Sequence, residues 1–285
     1  SGKRILVTGA GGSIGSELVR QCLGFKPGVL MLLDNNEENL FNLEQEINET
    51  GTNINVKPVL GDIRDRVVMD KLFSDNRPQV VLHAAAYKHV PIQELNPWYA
   101  ILINVAGTRN IVELSSEYKV EKFILVSTDK AVHPVNVMGA TKRLSERIIQ
   151  TVDKTSQTQY LAVRFGNVIG SSGSVIPTLQ RQIKKGGPIT ITHPDITRYF
   201  MSIPESAQLI LQTGAIGRGV SGYSTVTGFI DGVADEVSTE LLTSVETEES
   251  LTRALAERLA ISGVLGGAGE SRSRRTGRTR SPGRA

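Results

Sequence analysis

Arg4-Ile5-Leu6-Val7-Thr8-Gly9-Ala10-Gly11-Gly12-Ser13-Ile14-Gly15 decides the fold. An apolar run ends at Thr8, glycines follow at 9, 12 and 15, and an amphipathic stretch occupies 14–25. A strand feeding a glycine turn and then a helix opens a βαβ unit. The turn needs residues without Cβ, close backbone approach to a pyrophosphate needs the same, and the helix N-terminus offers amide donors and a favourable dipole. Asp34 falls 19 residues after Gly15, where a carboxylate can accept both hydroxyls of an adenosine ribose. The following Asn35, Asn36, Glu37 and Glu38 include no arginine to hold a 2′-phosphate, so the pattern favours NAD over NADP. Contacts to that cofactor are expected from Gly9, Gly12, Ser13, Ile14, Gly15 and Asp34.

Outward from this turn, short apolar runs at 4–8, 29–33, 55–60, 79–83, 122–127 and 160–164 alternate with amphipathic stretches at 14–25, 37–50, 66–74, 97–118 and 136–152. Val29-Leu30-Met31-Leu32-Leu33 and Phe123-Ile124-Leu125-Val126 are continuously apolar, as strands covered on both faces require. The fold class read from this rhythm is α/β, a doubly wound parallel sheet. Asn96 before Pro97 predicts a helix N-cap with proline at the first helical position. Residues 1–165 form the first domain. A glycine- and proline-rich region follows over 166–219, with a short strand expected at 189–192 and a helix at 205–213, and loops of this kind at the carboxyl ends of a parallel sheet hold substrate. Residues 220–262 are acidic, with a narrow stripe of Leu251, Leu255 and Leu259, and 263–285 is a low-complexity basic tail expected to be disordered.

The net charge of +3 is unevenly spread: the six arginines and one glutamate from 270 to 285 carry +5, leaving −2 on residues 1–269. A nucleic-acid enzyme carries its basic surface on the folded part, so nucleic acid is not an expected partner. No stretch approaches the roughly 18–20 apolar residues of a membrane span, and no signal segment opens the chain, so a cytoplasmic domain is expected. The start at Ser1, with a strand almost at once, suggests a piece of a longer chain. The single cysteine, Cys22, excludes an intrachain disulfide, and the four histidines, His83, His89, His133 and His193, have no metal-ligand spacing. All five are read as structural, and no metal is expected.

Further candidates stand at strand ends. Asp62-Ile63 follows the third strand and can flank an adenine, and Ala84-Ala85-Ala86 follows the fourth with small side chains where a cofactor passes. After the fifth comes Ser127-Thr128-Asp129-Lys130, hydroxyl, acid and amine together, where doubly wound enzymes place reactive groups.

With these, the blocks Ala84-Ala85-Ala86-Tyr87-Lys88-His89-Val90-Pro91, Asn104-Val105-Ala106-Gly107-Thr108, Ser127-Thr128-Asp129-Lys130-Ala131-Val132, Asn136-Val137-Met138-Gly139-Ala140-Thr141-Lys142 and Arg164-Phe165-Gly166-Asn167-Val168 resemble the extended short-chain dehydrogenase/reductases. More narrowly, they resemble the CapD-like nucleotide-sugar 4,6-dehydratases. The resemblance covers roughly residues 2–219 and implies a Rossmann-type sheet with a smaller C-terminal substrate-binding region. The wider superfamily has a tyrosine four residues before the catalytic lysine, whereas this chain has Met138 before Lys142. That departure resembles the large, membrane-anchored branch that acts on UDP-N-acetylglucosamine with retention at C5, whose anchoring helices precede the dehydratase domain. Past Val220 the chain departs from the strand, acidic loop and helix with which relatives continue.

The chemistry implied is an internal redox cycle: NAD takes hydride from C4 of the sugar, the ketone acidifies the C5 proton, water leaves from C6, and hydride returns to C6. The resemblance makes Asp129 the acid at C6 and Lys130 the base at C5, with Thr128 on the C4 oxygen and Lys142 on the nicotinamide ribose. Burial and proximity are expected to let Asp129 and Lys130 share one proton. Lys88, Asn167, Arg181 and Arg198 match regions that contact the UDP-sugar, whose diphosphate and ribose need cations and donors. A homodimer through 97–118 and 136–152 is implied as well. The alternatives are a C4 epimerase of the same superfamily, which ordinarily keeps the tyrosine, and a catalytically inactive NAD-binding protein.

Overall fold

The computed structural model describes residues 1–171, 175–188, 190 and 200–217. In chain order its elements are β1 (Arg4–Thr8), α1 (Ser13–Gly24), β2 (Val29–Asp34), α2 (Glu37–Glu49), β3 (Asn55–Leu60), α3 (Arg66–Asn76), β4 (Val80–His83), α4 (Val90–Leu95) and α5 (Pro97–Ile101). A π-helical segment (Leu102–Gly107) leads to α6 (Thr108–Glu117), β5 (Lys122–Thr128), a 3-10 turn (Asp129–Ala131), α7 (Val137–Asp153) and β6 (Gln159–Phe165). Then come β7 (Asn167–Val168), α8 (Val175–Lys184), β8 (Phe200–Met201) and α9 (Ile203–Ile216).

The first six strands make one sheet in the order β3-β2-β1-β4-β5-β6, every pairing parallel. This is the doubly wound Rossmann arrangement, in which strand order reverses between β1 and β4 and a crevice opens at the carboxyl ends. The register puts Thr8 opposite both Leu33 and His83, so the ends of β1, β2 and β4 meet there. β7 and β8 form a separate parallel pair.

Side chains alternate across the covered strands. Leu6, Met31, Leu33, Val81, Phe123 and Leu125 pack on one face with Phe73 of α3, Ile111 of α6 and Ile149 of α7. Val7, Leu30, Leu32, Leu82, Ile124 and Val163 pack on the other with Leu18 of α1, Leu43 of α2 and Ile210 of α9. Cys22 and His83 are fully buried, in line with their structural reading. Pro58, which cannot donate to a ladder, lies on the edge strand β3.

Four local expectations are corrected. The helix expected over 97–118 is interrupted by the π segment, where Gly107 lies so near the Ile63 side chain that a Cβ would approach it to 2.6 Å. Asn96 occupies the N-cap position of α5 without a side-chain capping bond, because its amide donates back to the Ile92 carbonyl at 2.9 Å. The short helix α4 was not expected, and Pro91 is accommodated in its first turn. The helix placed over 205–213 begins earlier, at a Ser202–Glu205 capping box. The strand expected at 189–192 falls outside the described residues apart from Thr190, as do the Leu251, Leu255, Leu259 stripe and the basic tail. Trp98, the only tryptophan of the chain, is half-exposed on α5.

Candidate active site

The glycine turn closes on itself. Gly9 adopts φ +66°, and a Cβ there would stand 2.8 Å from the Ala85 backbone, while a Cβ on Gly15 would run into the Gly9 carbonyl. Gly12 is the N-cap of α1 and has no side chain to occupy the first amides, which leaves the helix end suited to an anion. Asp34 is 8% exposed; its Oδ2 accepts from the Gly11 amide at 2.8 Å and its Oδ1 from the Asn36 amide at 2.9 Å. A carboxylate has about four acceptor positions, so the two amides fix its plane and leave capacity for ribose hydroxyls. A cleft of about 290 Å³ is lined by Gly9, Gly12, Asp34 and Asn36 and by Asp62, Ile63, Ala84 and Ala85, while Ser13, Ile14 and Gly15 open α1 behind it. Arg64 grips Asp62 with Nε 3.0 Å from Oδ1 and Nη2 2.7 Å from Oδ2, which holds that carboxyl below the usual aspartate range. The arrangement fits the adenosine and pyrophosphate of a dinucleotide.

The reactive groups lie along the same sheet end. Thr128 Oγ1 donates to Asp129 Oδ1 at 2.9 Å, and Lys130 Nζ donates to the same oxygen at 2.9 Å. The burial expected of this pair is not found, since the side chains are 51% exposed for Asp129 and 26% for Lys130. The reason is their place on a 3-10 turn past the strand end rather than within the sheet. Opposite is α7. A Cβ on Gly139 would collide with the Lys130 carbonyl, so glycine lets this helix approach the reactive turn. Asn136 caps α7 by accepting from the Gly139 amide at 2.8 Å, and Glu94 accepts from the Val137 amide at 2.7 Å. Met138 and Lys142 are buried in the first two turns. Burial pushes the Lys142 ammonium down to about 8, and the attraction of Glu146 opposes that fall.

Lys88 stands beside Tyr87, whose backbone is clamped by Asn104: the Tyr87 amide donates to Oδ1 at 2.8 Å, and Nδ2 donates to the Tyr87 carbonyl at 3.0 Å. Lys88 is exposed as a whole, yet desolvation by its surroundings holds its ammonium below the ordinary lysine range. Asn167 is half-buried on β7, Arg181 is exposed near the end of α8, and Arg198 lies outside the described residues. The structure thus brings together the glycine turn, Asp34, Asp62, Ile63, Ala84 and Ala85 around the cleft, and Thr128, Asp129 and Lys130 on one turn. Among the described residues no group of three histidine, cysteine or acidic side chains could hold a metal ion. Arg64, Glu94 and Glu146 were not singled out from the sequence, and Asn104 was noted in its block without a role. Four-residue spacing from Lys142 was the one available signal for Glu146.

A family model described as "Polysaccharide biosynthesis protein" matches residues 5–255. The chain belongs to this family. The match runs beyond residue 219, where the recognisable blocks end. One relative in the polysaccharide biosynthesis family's company, the "Capsular polysaccharide biosynthesis protein CapD" of Staphylococcus aureus, is 50% identical over 219 residues, 76% of this chain and 37% of that protein. A "UDP-N-acetylglucosamine 4,6-dehydratase (inverting)" of Campylobacter jejuni is 34% identical over 216 residues, 74% of this chain and 63% of its own length. A "UDP-glucose 4-epimerase" of Rickettsia rickettsii is 37% identical over 216 residues, 73% of this chain and 62% of its own length. The chain therefore spans less than two thirds of each of these relatives. No helix among the described residues is long and apolar enough to cross a membrane.

Proposed function

We propose that this member of the family is an NAD-dependent nucleotide-sugar 4,6-dehydratase whose substrate is UDP-N-acetylglucosamine, used in bacterial polysaccharide or glycan synthesis. The observation that carries the reading is the hydroxyl, acid and amine of Thr128, Asp129 and Lys130 joined through one carboxylate oxygen, on a turn packed against the start of the helix that bears Lys142. Gly9, Gly12, Ser13, Ile14, Gly15, Asp34, Asp62, Ile63, Ala84, Ala85 and Lys142 would hold NAD, which supplies a reversible hydride acceptor when bound.

The residues divide the proton work. The ion pair of Asp129 and Lys130 holds one proton between them, and its transfer along the 2.9 Å contact produces a carboxylic acid and a neutral amine. Substrate lying over the exposed pair removes water and favours those neutral forms. Lys130 then takes the C5 proton made acidic by the C4 ketone, while Asp129 gives its proton to the C6 oxygen, which leaves as water; the Lys130 ammonium exchanges its protons with solvent and returns one of them to C5 once C6 is reduced. Thr128 holds the C4 oxygen. Met138 has no proton-accepting atom, so the C4 hydroxyl proton goes to water, or to Asp129 when Lys130 enters the cycle neutral. Lys88, Asn167, Arg181 and Arg198 are the proposed contacts to the UDP-sugar. Exposed Ile92, Leu95, Trp98 and Tyr99 on α4 and α5 support a homodimer through this side. Nucleotide-activated sugars are made in the cytoplasm, and we read the domain as working there.

Incubation with UDP-N-acetylglucosamine in deuterated water tests the reaction. A dehydratase places solvent deuterium at C5 of a 4-keto-6-deoxy product, because that proton is removed and replaced. Unlabelled UDP-N-acetylgalactosamine would instead identify a C4 epimerase, the reading favoured by the similarity to the Rickettsia protein. Tight NAD binding with neither product would identify an inactive NAD-binding protein.

A further inference from the structure

Glu146 is the least exposed acid among the described residues, at 2%. It stands on α7 and receives Ser127 Oγ at 2.5 Å on Oε1, Arg164 Nε at 2.8 Å on Oε1 and Arg164 Nη2 at 2.5 Å on Oε2. Arg143 Nη1 stands 3.7 Å from Oε2. Ser127 directly precedes Thr128 at the end of β5, and Arg164 is the penultimate residue of β6. One carboxylate thereby joins α7 to the ends of two strands. Lys142 lies one turn earlier on the same helix, within reach of the Glu146 charge.

We infer that Glu146 is a positioning residue: it ties the strand end carrying Thr128, Asp129 and Lys130 to the helix carrying Lys142, and it sets its buried charge one helical turn from the Lys142 ammonium. The chemistry asks for that cation, since an ammonium donates to ribose hydroxyls and stabilises the alkoxide formed as the C4 hydroxyl loses its proton. The role of Lys142 rests on the dehydratase reading; the contact network does not. His83 on β4 is buried and held far below its ordinary range, so it is neutral at pH 7. Arg164 on β6 is engaged with Glu146, Glu94 on α4 sits at the Val137 amide, and Asp129 and Lys130 on the 3-10 turn pair with each other. Glu146 is the anion acting on Lys142.

The test labels the lysines of the full chain with 13C at Cε, assigns Lys142 by Lys142→Arg, and follows its resonance with pH, a readout independent of turnover. In Glu146→Gln, which keeps the shape but not the charge, the midpoint falls by about half a unit or more. Glu146→Asp restores it toward the parent value. Where turnover is measurable, its loss at alkaline pH moves to lower pH in parallel, because the working form is the ammonium. Should Glu146→Gln fail to fold, Arg164→Gln, which frees the Glu146 charge from its paired cation, must instead raise the midpoint. A midpoint unmoved in either variant, whatever happens to turnover, makes Glu146 structural only and overturns the inference. A lowered midpoint in a chain that forms no 4-keto sugar upholds the charge coupling while the dehydratase reading fails.

Discussion

Asp34 shows how much one carboxylate can decide. The Gly11 and Asn36 amides hold its oxygens at 2.8 and 2.9 Å, so it cannot swing away from a ligand that it repels. A 2′-phosphate brought to that position meets a fixed negative charge, whereas a ribose with free hydroxyls meets an acceptor. The purified chain should bind NAD at least tenfold more tightly than NADP, a difference of about 1.4 kcal/mol. Paired titrations with the two dinucleotides check this, and equal affinities would contradict it. Asp34 could be found from its distance to the glycine turn because a strand and a helix of ordinary length fix that spacing. Glu146 could not. In Arg143-Leu144-Ser145-Glu146-Arg147 it reads as one charge in the solvated face of a helix, and only the meeting of β5, β6 and α7 buries it. Asp129 was found for its position past β5, but its exposure depended on a turn that no residue pattern announces.

The element that matters most to the site is α7, since Met138, Lys142 and Glu146 all ride on it. Its N-terminus has two anchors, the Asn136 side chain on the Gly139 amide and Glu94 on the Val137 amide. Asn136→Ala removes the first and leaves a donor of the opening turn unpaired. The expected cost is about 1 kcal/mol, read as a lower denaturant midpoint at unchanged slope; an unchanged midpoint would mean that Glu94 alone holds the helix start. The six strands of the main sheet could be read from the sequence to within one residue at each end; for the inner strands this is because burial on both faces leaves little room for polar interruption, whereas the exposed edge strand β3 keeps only Val56, Val59 and Leu60 as its apolar signal. The π segment could not, as 97–118 keeps its apolar spacing through the interruption and what widens the turn lies elsewhere in the chain. There Asn104 is drawn inward to Tyr87 and Thr141, and Gly107 is drawn against Ile63. α4 escaped notice for a simpler reason: six residues opening on Val90-Pro91 offer too short a pattern.

Across the molecule, His83 links parts far apart in sequence. One ring nitrogen is 2.8 Å from Thr8 Oγ1 on β1 and the other 2.9 Å from Thr108 Oγ1 on α6, inside the core. Desolvation, with a smaller contribution from the Lys142 charge, takes this imidazole from its ordinary 6.5 down to about 3. The unfolded chain therefore takes up a proton below about 6.5 that the folded chain refuses until about 3. Stability from this group is complete above pH 6.5 and declines with acidification through that window, by up to about 1.4 kcal/mol per pH unit. Urea unfolding at pH 7 and at pH 4.5, compared between the parent and His83→Asn, checks the sign: the parent should lose more stability on acidification than the variant. The solitary Trp98 has a consequence of another kind. It stands on α5, directly before the π segment whose Ile103 lines the cleft. Ultraviolet excitation of tryptophan therefore lights a single donor whose emission band overlaps the absorption of a reduced nicotinamide, and quenching of that one lamp would time the arrival and departure of the dinucleotide without any dye.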